Sequence, residues 1–117
     1  VSAGCTTTMS KWTLDEGLEV VRWFTPIFAK VGFSIGLTGS VLTKGESNKD
    51  LDIIVYPLCT DRGGVAEAKI ALVLGGAECK YGRFTVTNAW REKGSLDNKH
   101  VEIWTYKGRC IDVFFLT

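Results

Sequence analysis

Three aspartates stand where a folded chain tolerates aspartate poorly. Asp50 and Asp52 flank Leu51 at the head of Asp-Leu-Asp-Ile-Ile-Val-Tyr-Pro, and Asp112 lies inside Ile-Asp-Val-Phe-Phe. Both runs read as strands, and aspartate is a poor strand former. Residues two apart on a strand face the same way, so the Asp50 and Asp52 carboxylates are neighbours. Two such groups repel, and burial makes the repulsion worse. Asp112 in an apolar strand carries a desolvation penalty unless something neutralises it. A divalent cation removes all three penalties together. Mg²⁺ (or Mn²⁺) takes hard oxygen ligands, commonly a few carboxylates plus substrate phosphates. Two such ions can activate an attacking oxygen and stabilise a leaving pyrophosphate. A second feature points to phosphate: Gly39-Ser40 closes an apolar run and precedes a short turn or helix. Backbone N–H groups at such a turn suit an anion.

The elements that must hold these residues can be read from periodicity. Thr13 with Glu16 three residues on is a capping-box pattern. Leu14, Leu18, Val21, Phe24, Phe28 and Val31 then recur at helical spacing, with a kink or break expected at Pro26 and a stop at Gly32. Residues 33–38 read as a strand, and the short element after Gly39-Ser40 closes at Lys44-Gly45. Residues 50–57 are the clearest strand. A turn at 61–64 leads to a helix over 65–74, ended by Gly75-Gly76. Residues 81–90 read as a strand, because Phe84 and Val86 alternate with Thr85 and Thr87; a charged loop follows at 91–99. The end is a hairpin, 101–106 and 109–116, joined by Lys107-Gly108, where Gly suits a two-residue type I′ turn. The pattern predicts an α+β domain, a mixed β-sheet with helices packed on one face.

Bulk properties set limits. A chain of 117 residues is one ordinary domain, and 45% hydrophobic residues allow a packed core. A net charge of +1 argues against a strong nucleic-acid patch as the main feature. No apolar run is long enough for a membrane span, and no secretory signal is visible. Cys5, Cys59, Cys79 and Cys110 form no CxxC pair, so their spacing does not suit zinc. Three of them lie in apolar or small-residue surroundings, which suits buried, reduced thiols and a cytoplasmic location. Residues 1–12 are expected to be a flexible N-terminal arm, with Met9 as a candidate native start, and 13–117 the domain.

The spacing resembles a known signature. Gly39-Ser40, nine residues, then Asp50-Leu51-Asp52-Ile53 resembles that of the DNA polymerase β-like nucleotidyltransferase superfamily, and Lys44-Gly45 resembles a basic residue–glycine pair often found in its spacer. The resemblance implies that Asp50 and Asp52 bind metal and nucleoside triphosphate. Asp112 would supply the third metal-binding carboxylate and help activate an acceptor hydroxyl. Gly39 and Ser40 would cradle phosphates, with Lys44, and less favourably Lys49, adding positive charge. The sequence ends five residues after Asp112, which resembles the minimal nucleotidyltransferase type rather than a templated polymerase. The implied activity is transfer of an NMP from an NTP to a hydroxyl on a small molecule, a protein or an RNA end. A protein partner or homodimer would then help recognise the acceptor. The alternative is a nucleotide- or partner-binding module of the same fold without transfer, such as a toxin–antitoxin component.

Plainer readings stand beside these. Asp50-Leu51-Asp52 fits a solvated strand edge, and Asp112 fits an ion pair with Arg109 or Lys107. With a two-residue turn, Asp112 falls opposite Ile103. Ser40 fits a helix N-cap, and Lys44 an ordinary surface lysine. His100 reads as having no chemical role. Trp12, Trp23, Trp90 and Trp104 fit core or interface packing better than a base-stacking platform.

Overall fold

The computed structural model describes residues 11–59, 64–92 and 100–116, with side chains omitted at 90–92. The chain order is β1 (Trp12–Thr13), α1 (Leu14–Ala29), β2 (Phe33–Thr38), α2 (Gly39–Lys44), β3 (Glu46–Ser47), β4 (Leu51–Pro57), α3 (Val65–Leu74), β5 (Glu78–Tyr81), α4 (Arg83–Glu92), β6 (His100–Tyr106) and β7 (Arg109–Phe115). Five strands form one mixed sheet in the order β2-β4-β7-β6-β5, and β1 pairs with β3 in a separate ribbon. The domain is α+β, as the pattern predicts.

Strand alternation builds the core. Leu51, Ile53 and Val55 of β4 and Ile111, Val113 and Phe115 of β7 point to one face, where Val20, Phe24 and Phe28 of α1 and Ala68, Ala71 and Leu72 of α3 cover them. Contact with α3 is close: a Cβ on Gly75 would lie 2.1 Å from Phe24. The capping box is formed, with the Glu16 N–H donating to Thr13 Oγ1 and the Thr13 N–H to Glu16 Oε1. Pro26 lies inside α1 without ending it. The helix runs on because its buried face, Phe24 and Phe28, spans the proline, while the Thr25 hydroxyl donates to the Val21 carbonyl at 2.6 Å.

The strand expected over 81–90 is instead α4. Its helical turn buries Val86 against Val101, Ile103 and Cys110 on the opposite face of the sheet and leaves Phe84 exposed. The strand in this region is β5, paired antiparallel to β6. Trp12, placed in the N-terminal arm by sequence, is buried and donates from Nε1 to the Cys110 carbonyl. Trp104 is buried too, which fits the core reading. The cysteine reading also needs correction. Cys59 and Cys79 are exposed free thiols, and buried Cys110 is disulfide-bonded, so thiol chemistry does not point to a reducing compartment. Among the described residues no helix is long and apolar enough to cross a membrane. The readings of residues 1–10 and of nearly all of the 61–64 turn and 91–99 loop fall outside the described residues.

Removing the α1 cap tests how much the domain depends on it. Thr13→Ala is expected to lower unfolding free energy by about 1 kcal/mol, read as a lower urea midpoint with an unchanged slope.

Candidate active site

The face of the sheet away from α1 and α3, which α4 covers in part, gathers the predicted carboxylates. β4 and β7 are parallel, and Asp52 and Asp112 are register partners. Adjacent strands lie about 4.8 Å apart, so the two side chains are neighbours on the face away from the α1–α3 core. Asp50 immediately precedes β4 and interacts electrostatically with both. On the far side of Asp112 the hairpin register places Ile103, as the two-residue turn predicts; Lys107 and Gly108 both have positive φ, at 53° and 78°.

Among the described residues no basic side chain forms an ion pair with these carboxylates, although the Lys49 charge works to lower the Asp50 carboxyl. Arg109, the expected ion-pair partner of Asp112, is committed elsewhere: it donates to Glu16 Oε2 at 2.9 Å and lies 3.6 Å over the Trp12 ring. Burial raises the Asp112 carboxyl to about 8, and the charges of Asp50 and Asp52 add to the effect. Asp52 rises to about 6, again chiefly through burial and then the Asp50 charge, while a hydrogen bond with Asp112 works the other way. Asp50 is raised mainly by burial. Near neutral pH the pair therefore holds a shared proton in the metal-free protein. Asp50 Oδ1 and Asp112 Oδ1 are buried without a hydrogen-bond partner among the described residues. Buried acceptors left this way are costly. Among the described residues no three Asp, Glu, His or Cys side chains converge as a ready-made metal cage. The donor set nevertheless fits a hard cation: all three groups are carboxyls, and two present unused buried oxygens.

Gly39 is the close neighbour of this cluster. It opens α2 with φ +71°, and a Cβ there would lie 2.0 Å from Asp52 Oδ2. Only glycine lets the backbone approach the carboxylate so closely without strain. The N-cap of α2 is Thr38, not Ser40, and it makes no side-chain capping bond. Ser40 lies in the helix and, with Lys44, Glu46, Ser47, Asn48 and Lys49, lines a cleft of about 440 Å³. The structure thus brings together Asp50, Asp52, Asp112 and Gly39, and sets Ser40, Lys44 and Lys49 around the adjoining cleft.

Sequence reasoning passed over a second polar cluster. Glu102 is 1% exposed, and its carboxylate accepts from Lys69 Nζ, His100 Nε2 and Trp104 Nε1, each at 2.9 Å. Burial works to raise the Glu102 carboxyl, but these hydrogen bonds outweigh it and hold the group below its ordinary value. The one available signal was an acid inside the apolar run Val-Glu-Ile-Trp, the same kind of signal that marks Asp112.

No protein-family model matches this sequence, and no curated protein sequence matches it. Among solved structures, the chain is similar to Leishmania infantum polymerase beta in a ternary P/T complex. The two share 17% identity with a TM-score of 0.46, over 92% of this chain and 43% of that one. The chain thus spans less than half the length of that polymerase, and a likeness so remote has no bearing on activity or substrate.

Two outcomes check the site. The Asp52 and Asp112 pKa values are higher in the folded than in the unfolded chain, so the native state binds more protons between about pH 4 and 8. Metal-free protein is therefore expected to lose stability as pH rises from 4 to 8. Asp112→Asn should flatten that slope and raise the melting temperature at pH 8; an unchanged slope would refute the buried pair. Gly39→Ala must displace the Asp52 carboxylate, and is expected to change the Asp52 titration seen by carbon-13 NMR.

Proposed function

We propose that this chain is a metal-dependent nucleotidyltransferase that moves an NMP from an NTP to an unidentified hydroxyl acceptor. The observation that carries the reading is a cluster of three desolvated aspartates, two with buried oxygens that lack partners among the described residues, with Asp52 packed against the backbone of Gly39. Mg²⁺ or Mn²⁺, when bound, would neutralise the carboxylates and polarise the phosphoryl group. Asp50 and Asp52 would hold metal and triphosphate, and Asp112 would complete the metal site and draw the proton from the acceptor hydroxyl. Gly39 and Ser40 would present backbone and hydroxyl groups to the phosphates, with Lys44 and Lys49 adding positive charge on the wall of the cleft. Catalysis would be largely positioning and electrostatic stabilisation. The resemblance of Gly39-Ser40 and Asp50-Leu51-Asp52-Ile53 to the polymerase β-like signature supports the same assignment.

A second reading, a partner-binding module such as a toxin–antitoxin component, is favoured by one observation. Ile70, Val73 and Leu74 of α3 are 52%, 61% and 70% exposed, and their spacing places them on one helical face. Apolar side chains grouped in this way suit a protein partner or a second copy of the chain.

Ligand-induced stabilisation separates these readings. MgCl₂ together with the preferred NTP is expected to raise the melting temperature, because a ligand that binds only the native state must do so. Asp52→Asn should abolish the shift and lower turnover by about 100-fold or more, the scale on which one electrostatic stabiliser acts. Full turnover in Asp52→Asn would overturn the mechanism. A metal-dependent NTP shift without NTP consumption would favour the binding module.

A further inference from the structure

A second cleft, of about 370 Å³, lies at the outer edge of the sheet and is lined by Lys69, Arg83, Phe84, Thr85, His100 and Glu102. Its walls come from α3, the start of α4 and β6. β5 pairs with β6 only as far as Ile103, so the edge of β6 from Glu102 to His100 is left for these side chains. The acid in the wall is fully committed. Glu102 accepts from Lys69 Nζ and His100 Nε2 at 2.9 Å and is almost wholly buried. It fixes both donors at the cleft while Lys69 remains 39% exposed. Arg83 is exposed and has no acidic partner among the described residues. Beside it, Phe84 is 80% exposed, so its ring is open to a stacking partner.

A lysine held at a cleft, with an exposed guanidinium and an exposed aromatic ring beside it, supplies the chemistry that binds a nucleobase and its neighbouring phosphate. We propose that this cleft is a nucleic-acid subsite outside the carboxylate cluster. Phe84 stacks a base there, and Arg83 and Lys69 hold the adjacent phosphate. Glu102 is a positioning residue that acts through Lys69 and His100. The proposal does not depend on nucleotidyl transfer at Asp50, Asp52 and Asp112.

The test is fluorescence anisotropy of a labelled single-stranded octauridylate on metal-free protein, with UMP as competitor. Binding is expected to survive in Asp52→Asn/Asp112→Asn. It is expected to weaken at least about fivefold in Phe84→Ala and to recover in Phe84→Tyr. Arg83→Ala should reduce the steepness of the log affinity against log salt plot by about 0.7, one phosphate contact on a single strand. Both side chains are exposed, so thermal melts should show these variants folded. Competition by UMP would identify a single nucleotide as the bound unit, and its failure would identify a strand; either supports the subsite. Absence of binding, equal affinity in Phe84→Ala and Arg83→Ala, or loss of binding in the aspartate variant would overturn it.

Discussion

The parallel pairing of β4 with β7 is the constraint on which the candidate site depends. It brings Asp52 and Asp112 side by side from positions 60 residues apart in the chain. Their neighbours along each strand, Leu51 and Ile53, Ile111 and Val113, are completely buried on the other face. A slip of one residue in either strand would drive an aspartate into that core and a large aliphatic side chain out of it. The hydrophobic face therefore fixes where the carboxylates stand. Burying four aliphatic side chains stabilises by several kcal/mol, enough to hold two acids together that would otherwise separate.

The two buried acid sites show opposite treatments of the same problem. Glu102 is surrounded by donors from α3 and β6, and its carboxylate is stabilised in the charged form. The aspartate cluster meets burial and like charge, with oxygens on Asp50 and Asp112 that lack partners among the described residues, so its charged form is disfavoured. A structural ion pair looks like the first. The second is held at a cost in folding, which is common where a group serves binding or catalysis.

Much of this was legible in the sequence because the responsible interactions are local. The Thr13–Glu16 capping box, the 33–38 strand, the 65–74 helix and the Lys107-Gly108 hairpin all follow from short-range rules. Asp50 and Asp52 were expected on one strand face; β4 begins only at Leu51, and Asp50 acts on Asp52 through its charge, while Asp112 stood out as an acid in an apolar run. The misreadings share another cause. Residues 81–90 alternate apolar and threonine residues and contain β-branched side chains, yet among the described side chains of α4 only Val86 is fully buried; tertiary packing outweighed a local strand preference. Pro26 suggested a break because its local cost was visible and the burial of Phe24 and Phe28 was not. The donors of Glu102 lie at positions 69, 100 and 104, and no spacing rule connects the first with the others. The remote solved structure, at 17% identity, adds nothing to this reading.

The small β1–β3 ribbon has a consequence out of proportion to its length. Trp12 pairs with Ser47 and Thr13 with Glu46, the Leu14 N–H donates to the Gly45 carbonyl, and Lys11 meets Glu46 at 3.1 Å. These contacts clamp the loop bearing Glu46, Ser47, Asn48 and Lys49, one wall of the cleft beside the aspartates. Trp12 in turn is anchored in the core and to the Cys110 carbonyl. A loop held in this way has already given up its conformational freedom during folding. An arriving ligand need not order it, and affinity at that wall is gained through preorganisation rather than through added contacts.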